Sequence, residues 1–140
     1  MKDIRVVLAD DHAMVRTSIR HLLSKAPGIQ VVGEASNGEE AIRTVNCLEP
    51  DVLLLDMEMP VLSGVQVARR LQATHSPVRI LVLSAYDDKQ YIREVLNNGA
   101  AGYLTKDEAA ETVVEAIRSI ANGGAGWFSK RVAKKVPRHG

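Results

Sequence analysis

The 140-residue chain suits one domain of common size, and its 46% apolar and 25% charged residues are the balance of a globular fold with a real core rather than of a disordered segment. No apolar run approaches the roughly 20 residues of a membrane span. Acids interrupt the opening MKDIRVVLADDH, unlike a secretory signal, and the lone cysteine, Cys47, excludes an internal disulfide and points to a reducing, cytoplasmic setting. The net charge of +1 hides an asymmetry: residues 1–122 carry 13 Lys or Arg against all 17 acids, a formal −4, whereas residues 123–140 carry five basic residues and no acid.

In chain order, the apolar run Ile4 to Ala9 predicts a buried strand that ends at Asp10 and Asp11. Val15, Ile19, Leu22, Leu23 and Ala26 fall on one helical stripe, stopped by Pro27-Gly28. Ile29 to Ala35 is a second strand. Asn37 is placed to cap the next helix, with Glu40 three residues on, and Ala41, Ile42, Val45 and Leu48 form its inner face before Pro50. Cys47 reads as a small core or boundary residue of that helix. Val52 to Leu55 is a third strand, followed by the loop DMEMPVLSG and a helix from Ser63 with Val67, Ala68 and Leu71 facing inward. Val78 to Leu83 is a fourth strand, residues 87–98 a helix closed by Gly99, and Ala101 to Leu104 a short fifth strand. The last helix starts near Asp107 or Glu108, carries Val113, Val114, Ile117 and Ile120, and ends at Asn122-Gly123-Gly124. Residues 1–122 thus form one domain. The basic stretch GWFSKRVAKKVPRHG within residues 123–140 reads as a linker or tail, with contact to nucleic-acid phosphate as the sharper alternative.

Five βα units predict an α/β, flavodoxin-like, doubly wound fold, with five parallel strands in the order 2-1-3-4-5 and five helices. In such sheets ligands bind outside the carboxyl ends of the strands, where the order reverses. Asp10 and Asp11 follow the first strand, Asp56 the third, Ser84 the fourth and Lys106 the fifth, so all five converge on one edge. Three carboxylates held close repel one another, and a hard divalent cation removes that repulsion. Mg²⁺ prefers oxygen ligands and sits beside one or two carboxylates and a phosphate; a backbone carbonyl just past Asp56, from Glu58, supplies a further oxygen. An ionised carboxylate is also a nucleophile for phosphoryl groups. With Mg²⁺ and the Lys106 ammonium neutralising phosphoryl oxygens and the Ser84 hydroxyl donating to one of them, the pattern predicts an aspartyl phosphate at Asp56.

Taken singly, each residue has an ordinary structural reading. Asp10-Asp11 can cap a helix, Asp56 can be a loop acid, Lys106 a solvated lysine, Ser84 a turn serine, and His12 the residue that begins the first helix rather than an acid–base group. The joint pattern is far more specific. VLADDH, VLLLDMEMPVLSG, ILVLSAY and GAAGYLTKD resemble the receiver (CheY-like) domain of bacterial two-component response regulators across nearly all of residues 4–122, and DDHAMVR, GYLTKD and NGG resemble the NarL/FixJ (LuxR-type) subfamily. The resemblance implies that Asp56 is the phosphoacceptor, that Asp10, Asp11, Asp56 and the Glu58 carbonyl hold Mg²⁺, that Ser84 and Tyr103 are the switch residues, and that Lys106 pairs with the phosphoryl group. It further implies that Glu58 and Tyr86 tune phosphoryl loss, that a sensor histidine kinase is the donor, and that phosphorylation switches a dimerisation or effector surface. Family members catalyse only their own phosphoryl transfer and hydrolysis.

Two departures stand out. Most receivers follow the lysine with proline, whereas Lys106 precedes Asp107. Subfamily members also carry a C-terminal helix-turn-helix domain, which residues 123–140 are too short to form, so transcription control through DNA is expected only by way of a domain not present here; a stand-alone receiver acting on other proteins is the alternative. A phosphatase with an aspartyl nucleophile would use Glu58 as its second acid, but the apolar residues and proline beyond it do not match that pattern. A flavin- or nucleotide-binding module would need a phosphate loop that ADDHAMVR lacks.

Overall fold

The structure is a computed structural model that describes residues 2–85, 89–123, 127–128 and 130–133. Its strands are β1 (Ile4–Ala9), β2 (Ile29–Ala35), β3 (Val52–Asp56), β4 (Arg79–Ser84), β5 (Gly102–Thr105) and β6 (Trp127–Phe128). The helices are α1 (Ala13–Ser24), α2 (Gly38–Leu48), α3 (Gly64–Ala73), α4 (Lys89–Asn97), α5 (Ala109–Ala121) and α6 (Lys130–Ala133). The expected start of the fourth helix at Asp87 lies outside the described residues.

All strand pairings are parallel, in the order β2-β1-β3-β4-β5-β6. The predicted order 2-1-3-4-5 is therefore present, extended at one edge by the two-residue β6. The central strands read as unbroken apolar runs because both faces are covered. Alternation of side chains divides the core in two. Val7, Leu53, Leu55, Val82 and Tyr103 lie on the face packed by α2, α3 and α4. Val6, Leu8, Leu54, Leu81, Leu83 and Leu104 lie on the face packed by α1 and α5. Edge strand β2 is only partly buried along its middle.

Local chemistry fixes the helix starts. The Asn37 side chain accepts a hydrogen bond from the Glu40 N–H at 2.9 Å, as expected for its cap. Ser63 forms a reciprocal capping box with Gln66, at 3.3 Å and 2.9 Å. His12 occupies the N-cap position of α1 without capping it through its side chain. Cys47 is exposed rather than in the core: it follows Val45 by two positions on α2, which turns it away from the buried stripe.

Three strands end one residue later than the apolar pattern suggests, at Asp56, Ser84 and Thr105, because ladder pairing continues into the polar residue. Beyond α5, Trp127 and Phe128 add β6 beside β5, and Val132 of α6 is completely buried.

Gly64 opens α3 where the chain passes close under β3. A Cβ there would lie 2.8 Å from the Met57 Cα and 2.9 Å from the Asp56 carbonyl oxygen, both backbone atoms that cannot turn aside. Gly64→Ala is expected to lower stability by about 1–3 kcal/mol. Urea denaturation measures this, and an unchanged midpoint would show that the loop after Asp56 yields freely.

Candidate functional site

Strand register brings the site together. Ala9 pairs with Leu55, so the next residues, Asp10 and Asp56, leave adjacent strands side by side. Asp56 pairs with Leu83 and Ser84 with Thr105, which sets Ser84 and Lys106 beside Asp56 in turn. The Lys106 backbone N–H donates to the Ser84 carbonyl at 2.8 Å, holding the end of β5 against β4.

Asp10 and Asp56 are 3% and 1% exposed. One oxygen of each is hydrogen-bonded: Asp10 Oδ1 accepts the His12 backbone N–H at 2.8 Å, and Asp56 Oδ1 accepts the Glu58 backbone N–H at 3.2 Å. The other oxygen of each is buried with no hydrogen-bond partner. What faces those two oxygens is the Lys106 ammonium, with Nζ 3.4 Å from Asp10 Oδ2 and 3.4 Å from Asp56 Oδ2. The His12 ring closes the cluster, with Nδ1 3.2 Å from Asp10 Oδ1 and 3.0 Å from Asp11 Oδ1. Ligand atoms of Asp10, Asp11, His12 and Asp56 all lie within 4.8 Å of one another.

One ammonium does not balance three carboxylates. Burial, reinforced by the charge of Asp10, pushes the Asp56 carboxyl up from its ordinary 3.8 to about 7, against the opposing pull of Lys106 and the Glu58 N–H, with the Glu58 carboxylate adding a little. For Lys106, burial works to lower the pKa, but Asp56 and Asp10 outweigh it and the net shift is upward. The donor set is all oxygen apart from one imidazole, carries excess negative charge, and has two buried oxygens without hydrogen bonds beside the Lys106 ammonium. A hard divalent cation fits such a set.

The Ser84 hydroxyl is buried and donates to Glu58 Oε1 at 3.2 Å. Tyr103 is buried in the apolar cluster with Ile92 and Val95 of α4. Tyr86 lies outside the described residues. Asp10, Asp11, Asp56 and Lys106 are therefore brought into mutual contact, Ser84 and Glu58 pair at its margin, and Tyr103 stands apart from the charged cluster. Three further groups stand near the site, of which the sequence had singled out only His12, as a residue that begins the first helix. They are the His12 ring, the Thr105 hydroxyl donating to Glu108 Oε1 at 2.6 Å, and the Arg16 guanidinium, which donates to the Asp10 carbonyl and pairs with Glu34. For His12 the available signal was its place directly after the acid pair. Arg16 and Thr105 gave none, because their partners depend on the fold.

The family model for the response regulator receiver domain matches residues 6–118. The chain belongs to that family, whose members are phosphorylation-based signalling modules rather than classical enzymes and typically bind Mg²⁺ at acidic residues. It is 42% identical over 120 residues to the response regulator UvrY of Escherichia coli (strain K12), covering 86% of this chain and 55% of that protein. To the transcriptional regulatory protein DegU of Brevibacillus brevis it is 39% identical over 122 residues, covering 87% of this chain and 52% of that protein. Among solved structures, the signal receiver domain of a NarL response regulator from Mycobacterium tuberculosis matches with a TM-score of 0.85 at 37% identity, covering 88% of this chain and 99% of that one. The resemblance read from the motifs is borne out, and the NarL match agrees with the subfamily. The chain spans about half the length of the curated relatives it matches.

The raised Asp56 pKa has a consequence for folding. Between about pH 4 and pH 7 the folded protein keeps a proton on Asp56 that the unfolded chain has lost, so this group makes stability fall as pH rises through that window. Above it the penalty is complete and constant. With metal removed by chelator, Asp56→Asn is expected to stabilise the protein by about 2–4 kcal/mol at pH 8, with the gain shrinking toward zero near pH 4. Thermal unfolding of both proteins across that range measures it; a gain independent of pH would contradict the assignment.

Proposed function

We propose that this chain is the phosphoacceptor module of a two-component response regulator, phosphorylated on Asp56. The observation that carries the reading is the pair of orphaned carboxylate oxygens on Asp10 and Asp56 facing a single shared ammonium. An Asp56 oxygen attacks phosphorus, forming an O–P bond as the N–P bond of a donor phosphohistidine breaks and its imidazole departs. Lys106 is already within ion-pair distance of Asp56 and follows the new phosphoryl charge. The Ser84 hydroxyl exchanges its Glu58 partner for a phosphoryl oxygen. Asp10, Asp11, Asp56 and the Glu58 backbone carbonyl hold Mg²⁺, which when bound neutralises charge on the transferring phosphoryl group.

Slow self-catalysed hydrolysis then resets the module, with Glu58 and Tyr86 tuning its rate. Ser84 and Tyr103 act as the switch pair. A sensor histidine kinase is the donor, and the groove of about 440 Å³ between α1 and α5 supports a helical partner there. It opens beside Lys106 and is lined by apolar residues including Met14, Val15, Ile19, Leu22 and Ala109. The output is a homodimer or an effector domain that controls transcription through DNA, in the cytoplasm. Among the described residues no helix is long and apolar enough to cross a membrane.

Incubation with acetyl phosphate and Mg²⁺ is expected to add one phosphoryl group per chain, read by intact mass. Asp56→Asn and addition of chelator both abolish the addition, and Lys106→Ala slows it by about a hundredfold. Labelling that persists in Asp56→Asn would remove the proposal, and steady turnover of small phosphate esters would favour a phosphatase.

A further inference from the structure

Asp10 stands one residue past the end of β1, where the strand itself no longer fixes the chain. Its N–H donates to the Ala35 carbonyl of β2 at 3.1 Å, and its Oδ1 accepts the His12 N–H at 2.8 Å. Its own carbonyl accepts Nη1 of Arg16. A buried carbonyl left without such a partner is costly, so this bond holds the Asp10 peptide in one orientation.

Arg16 reaches that carbonyl because α1 begins directly after the acid pair. Its backbone N–H donates to the His12 carbonyl at 3.1 Å, which places it one helical turn beyond His12. Its guanidinium is divided between two partners. Nη1 serves Asp10, while Nε pairs with Glu34 Oε1 at 3.2 Å. Glu34 lies on β2 opposite Leu8, and its second oxygen takes Nη1 of Arg20. A guanidinium is a rigid planar fork, so fixing Nε also fixes the direction of Nη1. Arg16 and Glu34 are both half-buried, and neither takes part in the phosphoryl transfer set out above.

We propose that Arg16 is a positioning residue for the cation site: held by Glu34, it fixes the Asp10 peptide and thereby the aim of the Asp10 carboxylate at a bound divalent cation. Its bearing on phosphoryl transfer rests on the phosphoacceptor reading. A peptide free to tilt carries its carboxylate with it, and groups that orient a metal ligand from behind typically govern affinity by about 10–100-fold. Charge works the other way, because a guanidinium repels a nearby cation. Here Glu34 offsets Arg16 at 3.2 Å, and Arg20 is exposed to solvent screening, so position outweighs charge.

The probe is Mg²⁺ alone on the full chain, followed by calorimetry well below the unfolding temperature. Arg16→Met is expected to weaken Mg²⁺ binding by about tenfold or more. Arg16→Lys keeps the charge but loses the fork, and recovers less than about threefold of that loss. Glu34→Gln weakens binding by about threefold or more when Arg16 is present, but by less than about twofold in the Arg16→Met background, because Glu34 acts through Arg16. In each variant the Mg²⁺ concentration for half-maximal labelling by acetyl phosphate rises by the same factor as the dissociation constant, which a general loss of stability does not produce. Unchanged or tighter Mg²⁺ binding in Arg16→Met, full recovery in Arg16→Lys, or multiplying losses in the double variant overturns the proposal. Should Arg16→Met fail to fold, unchanged Mg²⁺ affinity in Glu34→Gln overturns it. This binding pattern without any labelling of the wild type would uphold the role of Arg16 and overturn the phosphoacceptor reading.

Discussion

One ammonium shared between two buried carboxylates is the constraint on which this structure turns. Lys106 stands 3.4 Å from an orphaned oxygen of Asp10 and equally far from one of Asp56, and neither oxygen has a hydrogen bond to satisfy it. A single cation offsets part of the repulsion between the two anions and none of that from Asp11. Burial, reinforced by the charge of Asp10, pushes the Asp56 carboxyl up to about 7 in spite of Lys106. Such a site is costly to the unliganded fold and is relieved by whatever brings positive charge to it, which gives a cation strong leverage over the conformation around it.

The sheet exists, in effect, to hold those charges at that spacing. Parallel pairing in register delivers Asp10, Asp56, Ser84 and Lys106 at the ends of β1, β3, β4 and β5 without any long side-chain reach. The loop after β3 is forced close by Gly64, whose missing Cβ lets α3 begin against the backbone of Asp56 and Met57. The same loop contains Val61 at φ 72°, a left-handed conformation that a β-branched residue rarely adopts, with its side chain 69% exposed.

From the cluster outward the structure changes character, from charged to hydrogen-bonded to apolar. Asp56 accepts the Glu58 N–H, Glu58 accepts the Ser84 hydroxyl, Ser84 pairs with Thr105, and Tyr103 pairs with Phe128 at the sheet edge.

Strands buried on both faces are local apolar runs, and helix stripes and caps are local patterns. The sequence by itself therefore determined the order of the elements, the cap at Asn37, the helix start near Ser63, and the polar residues waiting at the strand ends. Parallel topology then implied their convergence, because the strand order places the first and third strands side by side. Only the tertiary structure decided which carboxylate oxygens are left without hydrogen-bond partners, that the Ser84 hydroxyl rests on Glu58, that the His12 ring and the Arg16 guanidinium join the site, and that Phe128 and Val132 pack against the core. Those facts depend on strand register and on partners up to tens of residues away. Val132 shows the limit most plainly: it lies in a basic stretch whose local pattern reads as solvated, and its burial is set by the uncovered edge of β5 and the apolar seat beside Tyr103.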